Sequence, residues 1–344
     1  MKKGTEKALP AKHIPYSQLL LCLAVGFGAH WLLAHYSETT TSSDTHSFNE
    51  ADSTLRLRGK YNLINPLLVC GNTDSKDFDE YNDLKLKIQK VINAKITDGS
   101  AKTVSVYFRS NGKWLGINEN EKYSPASLNK VPIMMAYYKK AEENPGILSQ
   151  ELIYDGSFDQ NKQETFRSEY DITPGAYTIE NLIKAMIVNS DNNALILLYN
   201  NIDHNSLKEV YTDLGLSVTS DSGLIDSISA KEYSYFFRLL YNATYLNDTY
   251  SERAMELLAS ASFPQGIRSG IPKNTTIAQK FGERSTPNKN GIDIERELHD
   301  CGIVFNQTHP YNICIMTRGT NFEQLSNTIK AVSTVVYQEI ENLK

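Results

Sequence analysis

The chain reads TIAQKF at residues 276–281, GIVF at 302–305 and YNICIMT at 311–317. Each stretch is short and rich in β-branched or aromatic residues, which predicts three strands near the C-terminal end. Two more strands are predicted upstream, because TVSVYF at 103–108 and an extended run at 114–117 flank Asn111-Gly112, a dipeptide that favours a tight hairpin. Strands from both ends can form one antiparallel sheet only if the residues between them pack separately.

Helical patterns fill the middle of the chain and flank the strands. Residues 125–258 are rich in helical spacing, and apolar positions recur every three or four residues at 77–95 and 322–341. We therefore predict an α+β fold: an antiparallel sheet is flanked by the two terminal helices, and an all-helical lobe is inserted between its strands. A cleft is expected where the lobe meets the sheet.

The N-terminal segment is predicted to cross a membrane. Lysines at positions 2, 3, 7 and 12 precede YSQLLLCLAVGFGAHWLLAHY at residues 16–36, which lacks Asp, Glu, Lys and Arg. About 20 helical residues span the hydrocarbon core of a bilayer, and the flanking lysines favour a cytoplasmic N-terminus. A cleaved signal peptide and a lipoprotein site at Cys22 are alternatives, disfavoured by the absence of a clear small-x-small site and by the large Leu21.

This pattern divides the chain into four parts. We predict a cytoplasmic N-terminus at 1–13, a transmembrane helix at 14–36, a Ser/Thr-rich linker at 37–76 and a folded, extracytoplasmic domain at 77–344. The net charge of −5 and the isoelectric point near 5.9 exclude a general nucleic-acid-binding role.

The four cysteines do not form a disulfide framework in a chain of this length. Cys22 lies in the apolar span and Cys70 in the linker. Cys301 and Cys314 belong to the last predicted hairpin, offset by two residues if its loop is 307–310. A disulfide between them and a buried free thiol are both compatible with the sequence.

Ser127 and Lys130 are the first candidate catalytic pair, within the stretch SPASLNK at 124–130. Ser124 is a favourable N-cap and Pro125 a favourable first helical residue, so Ser127 is expected in the first turn of a helix. Lys130 would then lie on the same face and could serve as the base that a serine nucleophile needs. Alone, this pattern is also that of an ordinary capped surface helix.

Two further motifs follow in order. Ser190-Asp191-Asn192 lies between two apolar helical runs, 60 residues after Lys130, and could equally be a simple turn. Lys280-Phe281-Gly282 lies on a late predicted strand, where a glycine would allow close approach of a ligand. No His-x-x-x-His or Cys-x-x-Cys pair is present, so no metal or other cofactor is predicted.

In combination, the three motifs resemble those of class A β-lactamases and penicillin-binding proteins. The resemblance extends to IRSGIP at 267–272, IAQKFG at 277–282, the closing hairpin and ISAKEY at 228–233. It covers roughly residues 77–344 and agrees with the predicted fold.

The resemblance implies a role for each site residue. Ser127 would be the nucleophile, Lys130 its base, and Ser190 the donor of a proton to the leaving nitrogen. Lys280 would attract a substrate carboxylate, Asn192 would hold a substrate amide, and Asp191 would brace the loop. Gly282 would border the substrate, and the backbone N–H groups of Ser127 and Glu283 would hold the oxyanion.

Three departures from the family pattern affect the expected activity. Phe281 stands where the family has a hydroxyl residue, and Cys301 where class A enzymes commonly have an arginine; Arg268 and Arg318 are the candidate replacements. The stretch LGLSVTSDSGLIDSIS at 214–229 contains no Glu to activate the deacylating water, with Asp221 and Asp226 as weak substitutes.

We therefore expect a membrane-anchored serine hydrolase that forms an acyl-enzyme with β-lactams or related cell-wall peptides and deacylates slowly. The alternatives are a D,D-peptidase acting on peptidoglycan stem peptides and a catalytically silent peptidoglycan- or partner-binding protein. A Ser-His-Asp triad is disfavoured, because His204, His299 and His309 lie in polar, loop-like sequence that predicts surface histidines.

Overall fold

The computed structural model describes residues 55–56, 61–69 and 81–342, apart from 167, 169, 219–220 and 308. The strands are β1 (Leu55–Arg56), β2 (Leu67–Val69), β3 (Thr103–Ser110), β4 (Lys113–Ile117), β5 (Lys122–Tyr123), β6 (Glu151–Tyr154), β7 (Gly175–Thr178), β8 (Ile228–Ser229), β9 (Thr276–Pro287), β10 (Asp293–Phe305) and β11 (Tyr311–Gly319). The α-helices are α1 (Asn82–Thr97), α2 (Lys130–Glu143), α3 (Ile179–Val188), α4 (Asn192–Asn200), α5 (His204–Thr212), α6 (Ala230–Asn242), α7 (Asp248–Ala259) and α8 (Phe322–Asn342).

One antiparallel sheet joins the strands from the two ends of the sequence, as predicted. Its order is β4-β3-β11-β10-β9, so the early hairpin β3–β4 meets the late strands through the β3–β11 ladder. Asn111 and Gly112 both have positive φ, and Ser110 pairs with Lys113, which confirms the predicted two-residue turn. Strand β9 forms the edge of this sheet.

The terminal helices α1 and α8 cover one face of the sheet, which confirms the second part of the fold prediction. Ile88 of α1 and Ile329 of α8 are fully buried in the same cluster as Val106 and Ile315 of the sheet. Burying each such side chain contributes about 1.5–3 kcal/mol, so this apolar layer holds the helices against the strands.

The inserted lobe packs around α2, but it is not all-helical as predicted, because β6 and β7 pair within it as a small antiparallel sheet. Residues 130–138 of α2 are all buried, and the lobe shares one apolar cluster with the other face of the sheet, where Tyr107, Ile303 and Met316 lie. Side-chain caps begin α3, α4 and α6. Ser229 and Glu232 form a capping box at the start of α6, the helix start that the ISAKEY stretch predicts.

Strand β10 is longer than its predicted core of 302–305. It begins at Asp293, because the charged stretch before Gly302 pairs with both neighbouring strands. Val304 pairs with Tyr311, so the hairpin loop begins earlier than predicted and Cys301 lies directly opposite Cys314. The predicted offset of two residues is wrong, and the two cysteines form a disulfide.

Residues 61–69 contact the domain, which the sequence did not lead us to expect within the predicted linker. Ile64 is buried, Asn65 N donates to Tyr241 O at 2.7 Å, and Asn62 N donates to Glu252 Oε1 at 2.9 Å. Among the residues that the structure describes, no helix has the length and apolar character needed to cross a membrane. The transmembrane helix predicted at 14–36 lies outside those residues.

Candidate active site

Ser127 lies in a single 3₁₀ turn, Ala126–Asn129, that leads directly into α2. The predicted N-cap at Ser124 is wrong, because Ala126 has a φ of +48° and interrupts the helical geometry just before Ser127. Ser124 is held through its backbone instead: its N donates to Glu297 Oε2 at 3.1 Å, and its O is 3.1 Å from His299 Nε2. The candidate nucleophile therefore begins the central helix of the lobe and is supported from β10.

Lys130 is the first residue of α2, and its amine is fully buried. Its Nζ donates to Ser190 O at 2.5 Å, to Ser190 Oγ at 2.9 Å and to Asn192 Oδ1 at 2.6 Å. These three bonds use the three protons of an ammonium group. Ser127 Oγ is not among the acceptors, so in this state Lys130 is directed towards Ser190.

Ser190 brings the second and third motifs together. Its Oγ accepts a hydrogen bond from Lys280 Nζ at 2.9 Å as well as the bond from Lys130. Lys280 is also buried, and its Nζ lies 4.4 Å from the centre of the Phe281 ring. Residues that are 90 positions apart thus meet at one hydroxyl oxygen.

Burial dominates the electrostatics of both lysines. It lowers the pKa of Lys130 from 10.5 to about 8, although nearby carboxylates, Glu164 first, favour the charged form. The pKa of Lys280 is lowered well below its ordinary value by burial and then by the charge of Lys130. A buried amine with a pKa of about 8, such as that of Lys130, can release a proton near neutral pH.

Asn192 has no unused side-chain hydrogen-bond donor. Its Nδ2 donates to Gln160 O at 3.2 Å and to Glu164 Oε1 at 2.7 Å. A substrate amide could bind there, as the family resemblance implies, only by displacing one of these acceptors. Asp191 caps α4 through Ala194 N at 2.8 Å and accepts from Ile172 N at 2.7 Å, so it braces two segments beside the site.

Gly282 packs against the nucleophile turn. A Cβ at this position would lie 2.9 Å from Pro125 O and 3.3 Å from Leu128 N. The group that approaches this glycine closely is the backbone of the turn that carries Ser127, a neighbour the sequence did not predict. Close approach of a ligand stays a prediction. This contact sets the turn beside β9, whose free edge presents backbone groups. The proposed oxyanion donors, the N–H groups of Ser127 and Glu283, come from these two neighbouring segments.

Phe281 belongs to a buried aromatic cluster. Its ring stacks on Phe263 with centroids 4.1 Å apart, and Phe166 meets it edge-on at 6.2 Å. Neither arginine considered as a replacement for a carboxylate-binding group points to this position. Arg268 donates to backbone carbonyls of its own loop, including Thr275 O at 2.6 Å, and Arg318 pairs with Glu297 at 2.9 Å.

Glu164 and His299 are site residues that sequence reasoning missed. Glu164 lies 3.9 Å from Lys130 Nζ, and no short motif or helical spacing identified it. His299 was predicted to be a surface residue, but it is fully buried on β10, where it supports Ser124 and packs on the Tyr123 ring at 5.2 Å. Its polar sequence neighbours belong to a strand that is longer than predicted.

The segment 214–229 provides no substitute for the missing glutamate among its described residues. Asp221 and Asp226 are both exposed, and no hydrogen bond or ion pair in the described part of the chain joins either to Lys130 or Ser190. The carboxylate that lies close to Lys130 is that of Glu164, which belongs to the connection between β6 and β7.

Solved structures share this architecture. The structure of PBP-A matches with a TM-score of 0.63 and 19% identity, covering 79% of this chain and 99% of that one. A mutant of PBP-A, solved as an acyl-enzyme complex with penicillin G, matches with a TM-score of 0.62 and 20% identity, covering 76% and 98%. A representative class A beta-lactamase from Bacteroides cellulosilyticus DSM 14838 gives 0.62 and 18%, covering 75% and 99%. No curated protein sequence matches the chain significantly.

The fold is therefore that of the β-lactamase and penicillin-binding-protein class of serine hydrolases. At these identities the structural likeness establishes the fold alone. A sequence profile of the Beta-lactamase enzyme family matches residues 83–340, which is most of the chain. The chain belongs to that family.

Proposed function

We propose that this chain is a serine hydrolase in which Ser127 forms an acyl-enzyme with β-lactams or related cell-wall peptides, and that the acyl-enzyme deacylates slowly. The observation that carries the proposal is the meeting of two buried lysines at Ser190 Oγ, each with a donor distance of 2.9 Å. One of these lysines lies three residues after Ser127 on the same helical segment. This arrangement supports proton transfer between a nucleophile and a leaving group.

The proposed acylation step requires Lys130 to turn from Ser190 towards Ser127. Ser127 Oγ attacks the carbonyl carbon of the substrate while its proton passes to the free amine of Lys130. The bond between carbonyl carbon and nitrogen then breaks, and the nitrogen takes the proton of the Ser190 hydroxyl. Lys130 returns a proton to Ser190 across their 2.9 Å contact, so the amine is neutral again at the end. The products are a Ser127 ester and a protonated leaving nitrogen.

The lowered pKa of Lys130 predicts how the acylation rate depends on pH. The amine acts as a base only after it has lost its proton, and burial places its pKa at about 8. Acylation should therefore accelerate as the pH rises through about 8, and it should level off above that value.

The composition and solvent exposure of the 214–229 segment support slow deacylation. That stretch has no Glu, and its two aspartates are exposed to solvent. A deacylating water needs a positioned base within hydrogen-bond reach. We therefore expect the Ser127 ester to form faster than it is hydrolysed.

Intact mass spectrometry of the 344-residue chain with penicillin tests both parts. The expected result is a stoichiometric adduct that decays slowly and is absent from Ser127→Ala. Rapid hydrolysis of nitrocefin would contradict slow deacylation, and the absence of any adduct would contradict acylation.

A D-Ala release assay with a stem peptide separates the two enzyme alternatives. Release of D-Ala with little β-lactam turnover would identify a D,D-peptidase. The silent binding protein predicts no reactivity with any serine-directed probe; the buried Phe281 and the occupied Asn192 amide are the observations that favour it. Retained binding of peptidoglycan by Ser127→Ala would support that alternative.

For location, we propose a single-pass protein of the cell membrane with a cytoplasmic N-terminus and an extracytoplasmic domain. The proposal is supported by the apolar run at 16–36 and the lysines that precede it. Protease treatment of intact spheroplasts should degrade the domain from outside. Protection of the domain until the cells are lysed would contradict this orientation.

A further inference from the structure

Glu164 is a carboxylate at the centre of the site that none of the three motifs contains. It follows a short 3₁₀ turn, Asn161–Gln163, in the connection between β6 and β7. Its Oε1 accepts a hydrogen bond from Asn192 Nδ2 at 2.7 Å and lies 3.9 Å from Lys130 Nζ. The side chain is only 11% exposed, so this charge is largely removed from solvent.

The segment that carries Glu164 is fixed on both sides. Before it, Asn161 Oδ1 accepts from Asn192 N at 2.7 Å. After it, Phe166 N donates to Glu283 Oε1 at 2.8 Å, and Ile172 N donates to Asp191 Oδ2 at 2.7 Å. These bonds join the segment to α4 and to β9, so the position of the carboxylate is set by the domain and not by one flexible side chain.

We propose that Glu164 is a positioning residue for Lys130 and sets the pH at which that amine becomes the base for Ser127. The inference rests on the proposed function, because it assigns the control of the same acylation step. Along the chain, Glu164 lies between the first and second motifs, whereas the family's deacylating glutamate lies between the second and third.

The charges around Lys130 favour this assignment. Burial lowers the pKa of Lys130, and Glu164 is the strongest group that opposes the shift, followed by Asp191 and Glu283. Asp191 is engaged as the cap of α4, and Glu283 is engaged by Phe166 N. Lys280 is the like-charged neighbour, and the charge of Lys130 lowers the pKa of Lys280. Among the described residues, Glu164 is the carboxylate within 4 Å of Lys130 Nζ.

Opposing effects act on the pKa of Glu164 itself. Burial raises its pKa, whereas Lys130 and then Lys280 lower it. Its second contact, to Asn192, fixes the amide whose oxygen accepts from Lys130 at 2.6 Å. The carboxylate thus acts on Lys130 both through its charge and through the orientation of Asn192.

Three substitutions separate charge from structure. Glu164→Gln keeps a carbonyl oxygen that can accept from Asn192 but removes the charge. Glu164→Asp keeps the charge on a shorter side chain. Glu151→Gln is the matched control, because Glu151 is an exposed residue at the start of β6, outside the site.

The first measurement is the rate of penicillin adduct formation by the 344-residue chain between about pH 5 and 10, followed by intact mass. An opposite charge about 4 Å away raises a lysine pKa by about 1–3 units, so Glu164→Gln should shift the midpoint of the acylation profile downward by about that amount. The midpoint should be restored towards wild type in Glu164→Asp and unchanged in Glu151→Gln. An unshifted midpoint in Glu164→Gln overturns the proposal. Faster labelling at every pH with an unshifted midpoint also overturns the proposal. It would mean that Glu164 only occupies the Asn192 amide and blocks it.

The second measurement does not depend on acylation. In chains labelled with 13C at the lysine ε-carbon and carrying Ser127→Ala, the Lys130 resonance is assigned by its loss in Lys130→Ala. Its titration midpoint should be lower with Glu164→Gln than with Glu164 intact. Equal midpoints overturn the inference. If wild type forms no adduct but the midpoints differ, the proposed function fails while Glu164 still controls Lys130.

Discussion

Two residues beside Ser127 define its position by their backbone. Ala126 holds a left-handed conformation that L-residues adopt at a cost of roughly 1–3 kcal/mol. Gly282 allows the turn to approach β9 more closely than any side chain permits. Main-chain conformation and packing at these two residues therefore help to set the position of Ser127.

Gly282→Ala should impair acylation more than a typical change near a cleft. The added Cβ would lie 2.9 Å from Pro125 O, a backbone atom that can yield only if the turn moves. Displacement by about 1 Å can reduce a rate by about a hundredfold. We expect a loss of that order in the penicillin-labelling rate, together with a lower denaturation midpoint in urea. Near-normal labelling would mean that the turn tolerates the shift.

Buried His299 should make the domain sensitive to acid. Burial lowers the pKa of His299 from 6.5 to about 3, so between these values the unfolded chain binds a proton that the folded chain excludes. Stability is unaffected by this group above about pH 7 and falls progressively as the pH drops from 6.5 towards 3.

The comparison with His299→Gln isolates this effect. Glutamine cannot bind the proton, and its amide can still donate to Ser124 O. Urea unfolding at about pH 7.5 and pH 5 should show a smaller loss of stability in the variant than in wild type. Parallel losses would assign the acid sensitivity to other groups. The buried Asp300 is not one of them, because its raised pKa makes the folded state bind a proton more readily than the unfolded chain.

The site was predictable where a residue belongs to a local motif. Ser127, Lys130, Ser190 and Lys280 stand out because spacing along the chain carries the signal, and three of them share hydrogen bonds at one oxygen. Glu164 was not predictable, because it meets Lys130 only through the fold of a connection between two short strands. The contact of Gly282 with the turn that carries Ser127 was also not predicted, since that turn is far away in sequence.

At the scale of elements, the sequence predicted helices better than strand ends. Helix α8 spans Phe322–Asn342, within one residue of its predicted bounds of 322–341, whereas β10 begins nine residues before its predicted start. The charged residues of β10 are poor strand formers by themselves. Pairing compensates for them, as when Glu297 lies opposite Arg318 and binds it.

The disulfide of the β10–β11 hairpin should stabilise the sheet. It joins residues 13 positions apart, and closing a loop of this size contributes about 2–3 kcal/mol when the native geometry is kept. The double variant Cys301→Ala, Cys314→Ala should lower the free energy of unfolding by about that amount. Wild type treated with a reductant should match the variant. Equal stability of all three samples would show that the bond contributes little.

At the scale of the whole molecule, the sheet depends on its last strand. Strand β11 pairs with β10 on one side and with β3 on the other, so it alone links the early hairpin to the late strands. A chain that ends at residue 310 would lack this strand and helix α8. We expect it to be rapidly digested by trypsin under conditions that leave the 344-residue chain intact. Resistance of the shortened chain would show that the lobe folds independently.

The central position of β11 has a consequence for biosynthesis. A ribosome makes β11 after both of the strands that pair with it, β3 and β10. The TVSVYF strand β3 therefore leaves the exit tunnel with the backbone groups of one edge unpaired. That edge stays available for wrong partners until some two hundred further residues have been translated, a span set by the register of Val106 with Ile315. The nascent chain should therefore depend on chaperones throughout that interval, and its vulnerability should end only when β11 has emerged and paired with β3.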